Sequence, residues 1–363
     1  MQPISPATTA TPPPPRPVAV VDAWGGHTRP QSLHFAIFFA CIAWYRVATT
    51  LASSAANGFA VRFDMGNEQP VFEALALLFL VLLGLSALRL MERTLVPLGV
   101  SLGLPKRSTS SEEWGIGAAL GWGISVVTVL AMLLGRSLHV QFWTTPRAFW
   151  LLLLAAAALA IGTVAKLLAL YGYGFQHLVE GAGRVRATIT LVAIVMLDAI
   201  WAPTAFGTGS GTRIMVSMFG ALLLCLCWLR TRGLWIGWGA WFGWAASTAL
   251  VFGLPIGGYG PLSAVVDAAA LGPAWLTGGD YGPSASFLLL LLLIAAIPLL
   301  IRITDEYAWR YTRKPLVPAG IPVDIAPPAA HVAMEEAPTA PPPSLVQIQP
   351  ITPVPVREDV ASN

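Results

Sequence analysis

The chain has 363 residues, 56% of them hydrophobic and 11% charged, with a net charge of +3 and a mean hydropathy of +0.69. Soluble domains carry about 25% charged residues, so this composition excludes an ordinary soluble enzyme and reads as an all-α, polytopic membrane protein. The small net charge carries no argument for nucleic acid, and none is expected as a partner.

In chain order, residues 1–32 are polar and proline-rich ("TPPPPRP") and lack the basic cap and apolar core of a signal peptide. They are expected to form a disordered tail. Eight apolar segments follow, each near the ~20 residues that a bilayer requires. They run approximately over 33–55, 71–91, 115–135, 148–171, 188–206, 213–229, 234–253 and 285–303. Residues 33–94 would hold two N-terminal transmembrane helices and 95–304 a six-helix membrane core. Residues 305–363 are Pro/Ala-rich and, unable to bury enough apolar surface, are expected to be a second disordered tail.

The basic residues set an orientation. The N-terminus, the C-terminus and the loops after even-numbered spans carry fourteen Lys and Arg, among them Lys106, Arg107, Arg184, Arg186, Arg230 and Arg232. The opposite side carries four: Arg62, Arg136, Arg147 and Arg213. By the positive-inside rule both termini are cytoplasmic, in a multi-pass protein of the cell membrane. The Gly/Pro-rich link from Gly253 to Ser286 then lies outside, as a structured surface or re-entrant loop.

Few side chains offer chemistry. Cys41, Cys225 and Cys227 lie in apolar runs and read as small buried hydrophobes. His27, His34, His139, His177 and His331 show no metal-ligand spacing, so no metal or cofactor is expected. His177 and Glu180, three residues apart, read as a solvated interfacial pair. Three charges fall well inside spans, at least five residues from either end. Arg46 reads as snorkelling outward, with an acidic lipid or Asp267 as other partners. Lys166 either snorkels to the cytoplasmic interface or pairs inside the membrane with Asp198. Asp198 lies twelve residues past Arg186, about 18 Å of helical rise, where a carboxylate must be protonated, paired or in a wet cavity. Trp235, Trp238, Trp241 and Trp244 recur every third residue, as interface anchors and packing groups. The pairs Gly117/Gly121 and Gly239/Gly243 have the small-xxx-small spacing that lets helices approach, here within one bundle.

Four stretches, "LGVSLGLPKR", "LLALYGYGFQHLV", "LRTRGLWIGWGAWFGWAAS" and "VFGLPIGGYG…WLTGGDYGPSAS", resemble the CPBP family of intramembrane endopeptidases, which includes the CAAX prenyl-protein proteases. The similarity spans roughly 95–290. It implies a bundle of about eight helices whose active site lies within the membrane, built from EExxxR, FxxxH and HxxxN/D motifs. There a glutamate acts as general base on water, histidine and asparagine stabilise charge, and the arginine positions the carboxylates. On this chain the glutamate pair falls on Lys166 and Leu167 and the arginine on Tyr171. The second motif falls on Val195 and Ala199, and the third on Trp241 and Ala245. None of these side chains can activate water. Trp241 at a histidine position only donates, and would fill the former cleft. The resemblance therefore implies a non-proteolytic binding or regulatory homologue, with membrane lipid around it, a membrane-protein or peptide partner, and an oligomeric state left open. The alternatives are an active endopeptidase with Asp198 as base, and a transporter-like bundle in which Lys166 and Asp198 line a polar path.

Overall fold

Long apolar runs become helices, because in lipid only a helix satisfies its backbone N–H and C=O groups within one segment. The protein, seen in a computed structural model, is described over residues 31–64, 66, 68–95, 102–142, 149–201, 210–256 and 266–312. Helix α1 runs Gln31–Phe63, α2 Gln69–Leu95, α3 Ser110–Leu134 and α4 Phe149–Leu167. A π-helical turn, Leu168–Gly174, carries α4 without interruption into α5, Phe175–Ala182. Then come α6 (Arg184–Trp201), α7 (Ser210–Thr231) and α8 (Trp235–Ala246), the last extended by a second π turn over Ser247–Val251. After a short α9 (Ala274–Thr277) and a 3-10 segment, α10 spans Phe287–Ile303 and α11 Asp305–Thr312. Strands β1 (Leu138–Phe142) and β2 (Val266–Ala270) pair antiparallel, Val140 opposite Ala268. The all-α reading holds, with this one two-stranded ribbon added to it.

Among the described residues, five helices are long and apolar enough to cross a membrane: α1, α2, α3, the α4–α5 unit and α7. The pair α10–α11, bent by 60° between the two helices, makes a sixth if counted as one span. Large apolar side chains such as Phe79, Leu83, Leu134 and Trp201 are exposed on the flanks, which a water-soluble protein avoids on this scale. The chain thus has the helices of a membrane protein. The expected count of eight included α6, α8 and α10. At 17–18 residues including the π extension of α8, these rise only ~26 Å against a ~30 Å hydrocarbon core.

The small-residue pairs close the tightest helix contact. Any side chain at Gly117 or Gly121 would collide with the Ile236 or Ala240 carbonyl, and one at Gly239 or Gly243 with those of Trp114 or Ala118. Backbones of α3 and α8 therefore touch within one chain. The largest core gathers Phe38 and Cys41 of α1, Leu85 of α2, Leu167, Tyr173, Phe175 and Leu178 of the α4–α5 unit, and Leu224 and Cys225 of α7. All three cysteines are buried, as expected of small hydrophobes.

The bundle has two distinguishable ends. One holds the start of α1, the end of α2, α5 and the α7–α8 turn. There Arg107 donates to the carbonyls of Thr231 (2.7 Å) and Arg232 (3.2 Å) and lies 3.8 Å over the Tyr311 ring. Residues 305–312, expected to open a disordered tail, are helical. Arg230 donates to Thr304 Oγ1 (2.6 Å) and to Asp305, and so fixes the α10–α11 corner. Residues 1–30 and 313–363, the remainder of both expected tails, lie outside the described residues. The other end carries the β ribbon. The long link before α10 is accordingly structured in its described part, since β2, α9 and the 3-10 turn all belong to it.

Candidate functional site

Lys166 lies in the last turn of α4, and its Nζ sits 4.8 Å from the centre of the Trp241 ring on α8. Two positions that the family resemblance would fill with glutamate and histidine therefore face each other, occupied by a lysine and an indole. The expected Lys166–Asp198 ion pair is not formed. Asp198 is taken by Arg46 of α1, and both side chains are more than half exposed on the flank of the bundle. Arg46 and Asp198 neutralise each other on that flank, where a lone charge beside lipid would be costly. This also replaces Asp267, which sits on β2, as the partner of Arg46.

The other positions mapped from the motifs carry only packing. Leu167, Tyr171, Ala199 and Ala245 are buried, and Val195 packs against the main core. The carbonyl of Ala199 accepts a 2.6 Å hydrogen bond from Arg213 of α7. A groove of about 490 Å³ between α3, α4 and α8, bordered by Trp122, Leu152 and Phe242, is apolar throughout.

The polar chemistry lies elsewhere. His177, expected to be solvated, is completely buried. The π turn inserts extra backbone into the α4–α5 unit, and such turns shift the phase of every side chain beyond them. Tyr173 and His177 then point at α1 and α2 from one face of the helix. Gly174 and Gly181 seat α1 against this face: a Cβ at Gly181 would stand 2.8 Å from the Cβ of His34. His34 is the polar member of the buried α1 stripe His34, Ile37, Phe38, Cys41.

Four elements thus converge. The Nδ1 atoms of His34 and His177, 143 residues apart in sequence, stand 3.1 Å from each other. Glu180 brings Oε2 to 3.7 Å from His34 Nδ1, while Gln176 donates to its Oε1 at 3.2 Å. On the far side of His177, Nε2 faces Glu92 Oε2 of α2 at 3.6 Å. That same oxygen accepts the Tyr173 hydroxyl at 2.5 Å. His34, His177, Glu92 and Tyr173 are all buried, whereas Glu180 is open to solvent, with 41% of its side chain exposed. Arg232, in the α7–α8 turn, feels Glu180 across the gap. Burial and nearby Arg184 lower its guanidinium pKa from the usual value, and Glu180 opposes both.

Sequence spacing does not reveal this group, since its members come from three separate helices and a π turn. The available signals were weak: a histidine at a buried position of an apolar stripe, and Tyr173, His177 and Gly181 at helical spacing.

No family model, curated protein or solved structure matches the chain.

Proposed function

We propose that the chain is a polytopic membrane protein of CPBP type that lacks peptidase chemistry at the family's catalytic position and serves as a binding or regulatory protein. One observation supports this above the rest: the Lys166 ammonium lies over the Trp241 ring, where hydrolysis needs a proton acceptor. The carboxylates of the family motif are absent there: Lys166 as an ammonium only donates, an indole does the same, and neither replaces the glutamate pair.

In this reading α1, α2, α3, α4–α5, α6, α7, α8 and α10 are eight successive crossings. Their alternation between the two ends of the bundle supports the count, with lipid thinning or tilt accommodating the shorter helices. The end that carries Arg107, Arg184 and Arg232 is cytoplasmic by its basic excess, in the cell membrane. The partner is a membrane protein or a membrane-associated peptide.

A second reading, an active endopeptidase, is favoured by the buried Glu92–His177 couple, a carboxylate and an imidazole within 3.6 Å. The test is incubation of the purified full-length protein, in lipid nanodiscs, with prenylated and unprenylated membrane-anchored peptides. The expected result is no cleavage. Cleavage that Glu92→Gln abolishes and Asp198→Asn spares would overturn the proposal in favour of the second reading.

A further inference from the structure

The group formed by the start of α1 and by α5 has the donor set, spacing and support of a transition-metal site. His177 and Glu180 stand three residues apart on α5, an i,i+3 pair that projects to one spot. Across from them, His34 is held in place by the Gly181 contact. Donor atoms of these three residues all lie within 4.8 Å of one another. Two nitrogens bound to tetrahedral zinc at ~2.0–2.1 Å stand about 3.3 Å apart. The two Nδ1 atoms are 3.1 Å apart, and the His34 Nδ1 to Glu180 Oε2 distance is 3.7 Å. The remaining separation, His177 to Glu180, is within 4.8 Å, so a bound ion would draw in the exposed Glu180 side chain.

The surroundings of His177 point the same way. Its Nε2 is buried and makes no hydrogen bond, with Glu92 Oε2 at 3.6 Å. A ligating histidine characteristically directs its second ring nitrogen at a carboxylate, and that carboxylate is itself hydrogen-bonded. Glu92, held by the Tyr173 hydroxyl, has this role here. A proton on Nε2 leaves the Nδ1 lone pair aimed at the ion. Imidazole and carboxylate together suit zinc and its first-row neighbours better than calcium or magnesium, which take oxygen donors.

We propose that His34, His177 and Glu180 bind a divalent first-row metal ion, zinc best by ligand type, with Glu92 and Tyr173 orienting His177. Three protein ligands leave a fourth position for water or an exogenous ligand, on the side where Glu180 meets solvent. The ion would tie the start of α1 to α5. Arg232, within the field of Glu180, sets a cation near the open side and suits an anionic fourth ligand. The site is separate from the Lys166–Trp241 contact but shares His177 and Glu92 with the endopeptidase reading, so its test reads metal uptake and not cleavage.

The experiment is cobalt and zinc titration of the chelator-treated full-length protein in detergent. Cobalt is followed by its visible ligand-field absorption, zinc by competition with a chromogenic chelator. Wild type is expected to take up one equivalent per chain, with the intense absorption of a four-coordinate cobalt site that zinc displaces. Glu92→Gln is expected to keep that stoichiometry and lose about 10–100-fold in affinity, the usual cost of removing an outer partner. His34→Ala and His177→Ala are expected to lose stoichiometric binding. Glu180→Gln, at an exposed position that leaves folding intact, should weaken binding and alter the cobalt spectrum. Sub-stoichiometric uptake by wild type, or equal affinity and spectrum in wild type and Glu180→Gln, would overturn the proposal.

Discussion

Nε2 of His177 lies 3.6 Å from a carboxylate oxygen of Glu92, both side chains buried, and the Tyr173 hydroxyl donates to that same oxygen at 2.5 Å. A carboxylate taken out of solvent depends on such donors. Tyr173→Phe keeps the shape and removes one of them, so it is expected to destabilise the bundle by about 1–3 kcal/mol. Denaturation in detergent micelles checks this, and an unchanged transition would mean that the carboxylate is satisfied without the tyrosine.

Two neighbouring glycines of α3 make a matched comparison. At Gly121 a methyl group would meet the backbone of Ala240, whereas at Gly123 it would meet nothing within 4 Å. Gly121→Ala should force α3 from α8 at a cost of ~1–3 kcal/mol or more, typical of overpacking, and so lower the melting temperature sharply. Gly123→Ala should be neutral or stabilise, because alanine is favoured over glycine by ~1 kcal/mol within a helix. Thermal denaturation of the two variants side by side decides the matter.

Arg46 and Asp198 tie α1 to α6 on the exposed flank of the bundle. Removing either one leaves a lone charge, which insertion scales place at roughly 2.5–3.5 kcal/mol near the centre of a membrane helix. Asp198→Leu alone should therefore lower the yield of folded protein. The double variant Arg46→Leu/Asp198→Leu should recover most of it, since apolar replacement of both partners is often neutral or better. Size-exclusion recovery of the three proteins measures this. No rescue by the double variant would mean that Asp198 has a role other than pairing.

Lys166 and Trp241 interact through the ring face. Trp241→Leu removes that stabilisation, about 0.5–2 kcal/mol, and is expected to reduce thermal stability in the presence of Lys166. In a Lys166→Met background the same change should cost less. A double-mutant cycle gives the coupling, and a value near zero would show that the contact does not contribute.

What could be read from the sequence follows the physics of each element. Apolar runs mark helices because length and hydropathy are local properties, and every expected segment contains one. The packing of Gly117 and Gly121 against Gly239 and Gly243 was also legible, because small residues at fourfold spacing have few other uses. Asp198 was misassigned. Its need for a partner was evident from its depth, but which cation supplies it depends on how α1 lies beside α6. The His34–His177 meeting was hidden for two reasons. The residues are 143 apart, and the π turn at Leu168–Gly174 changes the helical phase with no compositional mark. Without that turn, a 3.6-residue count from Lys166 gives His177 a different face.

Burial of His177 beside exposed Glu180 separates a built site from a solvated loop more directly than any other quantity. The measurement is the labelling rate of single-cysteine variants, His177→Cys and Glu180→Cys, with a membrane-impermeant maleimide on the intact protein in nanodiscs. Cys41, Cys225 and Cys227 are buried and give a low background. The prediction is rapid labelling at position 180 and none at 177 until the protein is denatured. Equal labelling at both positions would contradict the account.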